Sequence, residues 1–163
     1  MKLRILVLVC LVLSLAACGS DSEPTPAAKT GQVELRFAIS NGARQNSALV
    51  DALTGTVYGA IYKKADVSLT GPSAEAQDLA SVELPGVDLT DPSAASSVAS
   101  WASGPLPTAD ELVFLGFFDV DGNGSASREP DEGDPVTLPL SNAFTPVADQ
   151  TIAVTAIFEL VLN

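Results

Sequence analysis

A chain of 163 residues with 20 acids, 8 cations and no histidine is long enough for one sizeable core and carries a net charge of −12. So acidic a body is repelled by nucleic acid and by anionic lipid surfaces, which excludes both as charge-driven partners. The lack of histidine removes the commonest general base and metal ligand before any fold is considered.

The first element is a leader. Lys2 and Arg4 give a positive start, and Ile5 to Leu15 form an apolar stretch, the pattern of a secretory signal. That stretch is well short of the roughly 20 residues a spanning helix requires. It closes in Leu15-Ala16-Ala17-Cys18, which resembles the lipobox of bacterial lipoproteins. The resemblance implies a signal peptide over residues 1–17, cleavage before the cysteine, and lipidation of Cys18. A single acyl chain binds a bilayer only marginally, at about 0.8 kcal/mol per buried methylene. The two or three chains of a lipoprotein cysteine make a stable anchor. Gly19, rather than aspartate, follows the cysteine; by the sorting habit of Gram-negative lipoproteins this implies the outer membrane, facing the periplasm or the surface. Cys10 leaves with the leader and Cys18 is acylated, so the mature chain is expected to hold neither a free thiol nor an internal disulfide. Losing Lys2 and Arg4 leaves 6 cations against 20 acids, a net charge of −14.

Residues 18–30 are the lipidated cysteine and a tether. Gly19 to Thr30 is polar, carries Pro24 and Pro26 and lacks apolar periodicity, so it reads as semi-extended chain reaching on the order of 40 Å. Residues 31–163 form the one folded unit.

Its first strand is GQVELRFAIS, with Val33, Leu35, Phe37 and Ile39 on one face and Glu34, Arg36 and Ser40 on the other. Asn41-Gly42 is a turn signal. Ala48 to Leu53 suits one or two helical turns. Thr56 to Tyr62 is apolar on both faces, as in a central strand, and Lys63-Lys64 reads as its solvated end. Weaker strands are expected near Val67-Leu69, Ala80-Leu84 and Ser97-Trp101, and Trp101 by default is a core residue at a strand end. Glu111 to Phe118 is a second central strand. After the loop that follows come a weak strand at Val136-Leu138 and a long alternation through Ile152, Val154, Ala156, Phe158, Leu160 and Leu162. Short strands separated by turn residues, with 11 prolines interrupting any long helix, give an all-β class and a single β-sandwich.

The most unusual stretch is GFFDVDGNGSASREPDEGDPV, which sets six carboxylates between Asp119 and Asp134 against one cation, Arg128. Calcium takes six to eight oxygens at about 2.3–2.6 Å, and alternate residues of a tightly curled loop can supply them. Asp119-x-Asp121-x-Asn123-Gly124 matches the opening half of an EF-hand loop, with the Ser125 carbonyl and, through water, Ser127 at the next two positions. The position of the closing glutamate is Pro130, and the flanks read as strands, so this is not an EF-hand. The loop resembles instead the calcium loops of immunoglobulin-like and transthyretin-like domains on bacterial surface proteins, which end in D-x-G-E/D. That resemblance makes Asp131, Glu132 and Asp134 candidates for closing the cage and leaves open which of them does. The preceding GPLPTADELVFLGFFD resembles the Leu-Pro and strand unit of transthyretin-like and carboxypeptidase-regulatory-like domains, with Pro105 and Pro107 shaping the entry and Leu112 to Phe117 in the core. A plain hairpin loop of solvated acids is the competing reading.

No Gly-x-Ser-x-Gly elbow, phosphate loop or dinucleotide fingerprint occurs, and no thiol is left for nucleophilic work. A carboxylate-pair glycosidase needs only two acids, but few aromatics exist to line its cleft. The expected function is a lipid-anchored, non-catalytic structural or binding module of the cell envelope, stabilised by calcium, with the membrane as partner through its anchor and the choice between an envelope protein and a carbohydrate left open. The alternative is a carbohydrate-binding or carbohydrate-processing lipoprotein that uses Trp101 and surface acids.

Overall fold

The computed structural model describes residues 27–46, 53–91, 93–94 and 96–162. The expected signal peptide, Cys18, the tether as far as residue 26, and all of the helical turn expected over Ala48 to Leu53 except Leu53 lie outside them. In chain order the elements are β1 (Thr30–Ile39), α1 (Asn41–Asn46), β2 (Thr54–Lys63), β3 (Val67–Ser68), β4 (Gly71–Pro72), β5 (Ala80–Asp88), β6 (Ser100–Ala102), β7 (Leu106–Pro107), β8 (Leu112–Asp119), α2 (Gly124–Ser127), β9 (Pro135–Val136), β10 (Ala143–Phe144), β11 (Thr151–Phe158) and β12 (Leu160–Val161). The class is all-β, and two sheets face each other across one core.

The first sheet runs β11-β1-β6, with β7 also on β1; the second runs β12-β9-β8-β2-β5, with β10 on β8. The pairing of β1 with β11 is parallel, from Gln32 opposite Thr151 to Ile39 opposite Phe158. The two central strands of the second sheet, β2 and β8, are antiparallel. The alternation read in β1 is what fills the core, since Val33, Leu35 and Phe37 are all fully buried. From the opposing sheet come Val57, Ile61, Leu112, Phe114 and Phe118. Four phenylalanine rings join the layers: Phe37 lies 5.7 Å from Phe114 and 6.1 Å from Phe158, and Phe118 lies 5.9 Å from Phe158. Trp101 is half-buried against this core.

On its other flank β1 is completed by two serines. Ser103 Oγ accepts the Val33 N–H at 2.9 Å and Ser97 Oγ accepts the Phe37 N–H at 3.0 Å, extending a pairing that β6 makes over only three residues. These hydroxyls satisfy donors that would otherwise be buried and unpaired.

Two expectations are corrected. Asn41-Gly42 does not close a turn but opens α1, because the Ser40 hydroxyl accepts the Ala43 N–H at 3.1 Å in the manner of a helix cap. Arg44 then fastens the helix by donating to the Thr90 carbonyl at 2.9 Å and to that of Leu89. The C-terminal alternation also fails past Phe158. The chain leaves the first sheet at Glu159, whose N–H donates to the Val136 carbonyl at 3.0 Å, and joins the second sheet as β12. That crossing reverses the faces, so Val161 is buried and Leu160 is 48 % exposed.

Candidate functional site

Strand β8 delivers the chain to the acidic loop at one edge of the sandwich. Leu112, Phe114 and Phe118 point into the core, so Asp119 falls on the opposite face, and yet it is only 2 % exposed. Its carboxylate is spent on the loop backbone: Oδ1 accepts the Gly122 N–H at 2.8 Å and Oδ2 the Gly124 N–H at 3.1 Å. Gly122 adopts φ +81, and Gly124 sits so close that a Cβ there would lie 3.0 Å from the Phe117 ring and 3.1 Å from Asp119 Oδ2. The two glycines are what let the loop wrap this carboxylate.

The far end of the loop mirrors that arrangement. Asp134 is 1 % exposed; its Oδ2 accepts the Asp131 N–H at 3.2 Å and its Oδ1 the Val120 N–H at 3.4 Å, so it ties the two halves of the loop together. Behind it, the Gly133 N–H donates to the Leu162 carbonyl at 2.9 Å and the Leu162 N–H to the Asp134 carbonyl at 3.2 Å. Burial pushes the Asp134 carboxyl up to about 6; its two N–H partners pull the other way, and the charges of Asp131 and Asp119 push it further up.

Between these ends, Asn123 Nδ2 donates to Asp121 Oδ2 at 2.9 Å and to Asp131 Oδ2 at 2.6 Å. Five of the eight expected loop residues, Asp119, Asp121, Asn123, Asp131 and Asp134, are therefore drawn into one network. The other three are not. Ser125 is exposed on α2, Glu132 is exposed, and the Ser127 hydroxyl donates to the Glu129 carbonyl at 3.3 Å while accepting the Glu129 N–H at 3.2 Å. Among the described residues no three acidic side chains form a ready-made metal cluster. Asp121 and Asp131 instead converge on the Asn123 amide nitrogen.

The loop's single cation is turned outward. Arg128, in the left-handed conformation at φ 55 that ends α2, donates to Glu83 Oε2 at 2.6 Å and covers the Tyr58 ring with its guanidinium 5.7 Å from the ring centre. Sequence reasoning missed Glu83 and Tyr58. They face each other only because β2 and β5 pair in that register, which no local pattern reveals.

Beside Arg128 a cleft of about 940 Å³ opens on the outer face of β2 and β8. Tyr58, Tyr62, Asp78, Phe117, Arg128 and Glu129 are among its lining residues. Tyr58 and Phe117 stack at 5.4 Å, and burial, with Asp78 adding to it, pushes the Tyr62 phenol above its ordinary value. Trp101 lies on the other sheet and does not reach the cleft.

In comparisons with protein-family models, with curated proteins and with solved structures, nothing matches this chain significantly.

Proposed function

We propose that this chain is a lipid-anchored, non-catalytic module of the bacterial cell envelope. Cys18 attaches it to the outer membrane, residues 19–30 hold it clear of the head groups, and calcium braces its sandwich at the loop between β8 and β9. One observation carries the metal reading. Two carboxylates, Asp119 and Asp134, are almost wholly buried within one short loop, while the loop's only cation faces away toward Glu83. Burying like charges together is costly, and a divalent cation offsets that cost.

Of the five networked residues, Asp121, Asn123 and Asp131 are the exposed ones, with oxygens at the solvent side. The nitrogen and oxygen of an asparagine amide are assigned from their surroundings, so with a cation present Asn123 would offer its oxygen. Asp119 and Asp134 would supply charge behind them, and Ser125, Ser127 and Glu132 have the weaker claim. Affinity is expected in the extracellular range, with Kd on the order of 10⁻⁴ to 10⁻³ M. The non-catalytic reading is supported by the lack of histidine and of the usual catalytic motifs.

Fractionating cells that express the wild-type chain and Cys18→Ser, and titrating the purified chain with calcium by calorimetry, tests both halves. The wild-type chain should sediment with outer membrane and the variant should be released, and the titration should show saturable heat at millimolar calcium. Release of both chains would end the anchor reading, and a flat titration the metal reading.

A second reading, carbohydrate binding, is favoured by the cleft, which Tyr62 lines together with Asp78 and Glu129. It moves the alternative from Trp101 to Tyr62. Glycan binding abolished by Tyr62→Ala and indifferent to Trp101→Phe would select it.

A further inference from the structure

Among the described residues, the outer edge of β11 has backbone groups with no hydrogen-bond partner. The Gln32 N–H donates to the Gln150 carbonyl at 2.8 Å and the Ser40 N–H to the Phe158 carbonyl at 2.9 Å, so even-numbered residues of β11 turn their backbone groups toward β1. Odd-numbered residues turn theirs outward. At one of them the outward pair is capped: the Ile157 N–H donates to Asn142 Oδ1 at 2.9 Å, and Asn142 Nδ2 donates to the Ile157 carbonyl at 3.1 Å. At Thr151, Ala153 and Thr155 no partner exists among the described residues, since β11 ends its sheet.

Natural edges are usually blunted with charges, prolines or bulges. TIAVTAIF has none of the three, and its pairing with β1 is unbroken over eight residues. We infer that the β11 edge is the docking surface for β11 of a second copy of this chain, paired antiparallel about a two-fold axis at Ala153.

The limits of the open stretch select this occupant. About that axis Ala153 faces its own copy, and Thr151 faces Thr155 of the second copy. All outward N–H and carbonyl groups of the three residues are then satisfied. One step further, Ile157 falls opposite Asp149 of the second copy. Ile157 is already capped by Asn142, while Asp149 sits in a turn at φ 58 with its N–H donating to the Thr30 carbonyl at 2.9 Å. The edge therefore stops at the same distance on either side of Ala153, which is what a self-paired strand requires. On the exposed face the side chains that meet are threonine and alanine, and on the core face Ile152 falls opposite Val154 of the second copy, so none of them is charged. Val147 and Ile157, 42 % and 39 % exposed, are left as apolar neighbours of the seam. The pairing depends on neither calcium nor the anchor.

Because the copies are strongly acidic and the seam carries no charge, salt should strengthen the dimer by screening repulsion between the bodies. Sedimentation velocity of the whole chain in non-ionic detergent tests this. A dimer that tightens with added sodium chloride is expected; a monomer at every concentration, or a dimer that salt weakens, overturns the inference. Thr155→Pro removes an N–H that β1 does not use and should give a monomer. If that variant does not fold, Ala153→Lys sets two lysines face to face on an exposed position and should weaken the dimer at least tenfold. Persistence of the wild-type dimer in a folded variant overturns the inference. In the whole chain with Cys10 and Cys18 replaced by serine, Ala153→Cys should cross-link under mild oxidation and Ser68→Cys, at the exposed end of β3, should not. Equal cross-linking at the two sites has the same contrary meaning.

Discussion

The Asp134 carboxyl, 1 % exposed, has its pKa raised from the ordinary 3.8 to about 6 by burial and by Asp131 and Asp119. The folded chain therefore holds a proton there that the unfolded chain releases at lower pH. A native pKa above the unfolded one means the associated stability is full below about pH 4 and is lost as pH rises through 6. Two pKa units correspond to about 3 kcal/mol, and relaxation of the loop around the ionised carboxylate reduces this to roughly 1–2 kcal/mol. Asp134→Asn removes the charge but sets an amide nitrogen, which cannot accept, against one of the two N–H groups that Asp134 holds, at a cost of about 1–3 kcal/mol at every pH. In chelator, the variant should therefore be the less stable near pH 4, and its stability relative to the native chain should rise by roughly 1–2 kcal/mol between pH 4 and pH 7 in urea unfolding. Calcium at pH 7 should stabilise the native chain more than the variant. A difference between the two that does not change with pH would show that Asp134 is not strained. The sequence marks Asp119 and Asp134 as loop acids, but their burial was not legible in it. At Asp134 it goes with Leu162, beyond β12, bonding to the 131–134 turn, a contact between segments 28 or more residues apart, and at Asp119 with the wrap of Gly122 and Gly124.

At the scale of elements, β2 and β8 approach through a pair of facing glycines, Gly59 opposite Gly116, beneath the Phe114 ring. A Cβ on Gly59 would collide with the Leu115 carbonyl and lie 2.7 Å from Phe114 Cε2. Gly59→Ala should therefore cost about 1–3 kcal/mol of overpacking in urea unfolding. Gly104→Ala meets nothing within 4 Å and should change stability by under about 0.5 kcal/mol. Equal effects would place the strands further apart than described. Which elements were legible follows from the range of the forces involved. Strands β1, β2 and β8 were, because their faces are set by strict alternation or by continuous apolar runs. Helix α1 was not, since Asn-Gly favours a turn and only Ser40 and Arg44 decide otherwise. Nor was the crossing at Glu159, because the apolar alternation continues in sequence while the chain changes sheets. The parallel pairing of β1 with β11 joins residues more than a hundred apart and leaves no local trace.

For the whole molecule, a sandwich with no disulfide among its described residues relies on its phenylalanine-rich core and on its loops for stability. The acidic loop is the part where burial and charge conflict most. If calcium resolves that conflict, occupancy at ten times Kd adds about 1.4 kcal/mol to the stability of the native state, worth a few degrees of melting temperature for a domain of this size. Asp119 is a poor position at which to test this, since its carboxylate also holds the Gly122 and Gly124 N–H groups and its loss would disturb the loop with or without metal. Asp121 and Asp131 are exposed, and replacing them with asparagine keeps a side-chain acceptor for Asn123 and leaves the Gly122 and Gly124 N–H groups on Asp119. The most direct measurement is a thermal melt of the chain in chelator and across a millimolar calcium titration at pH 7, beside Asp121→Asn/Asp131→Asn. A rise of a few degrees in the native chain that is absent from the double variant is the expected result. Identical melting of the two chains at every calcium concentration would contradict the account and leave the loop as a charged turn.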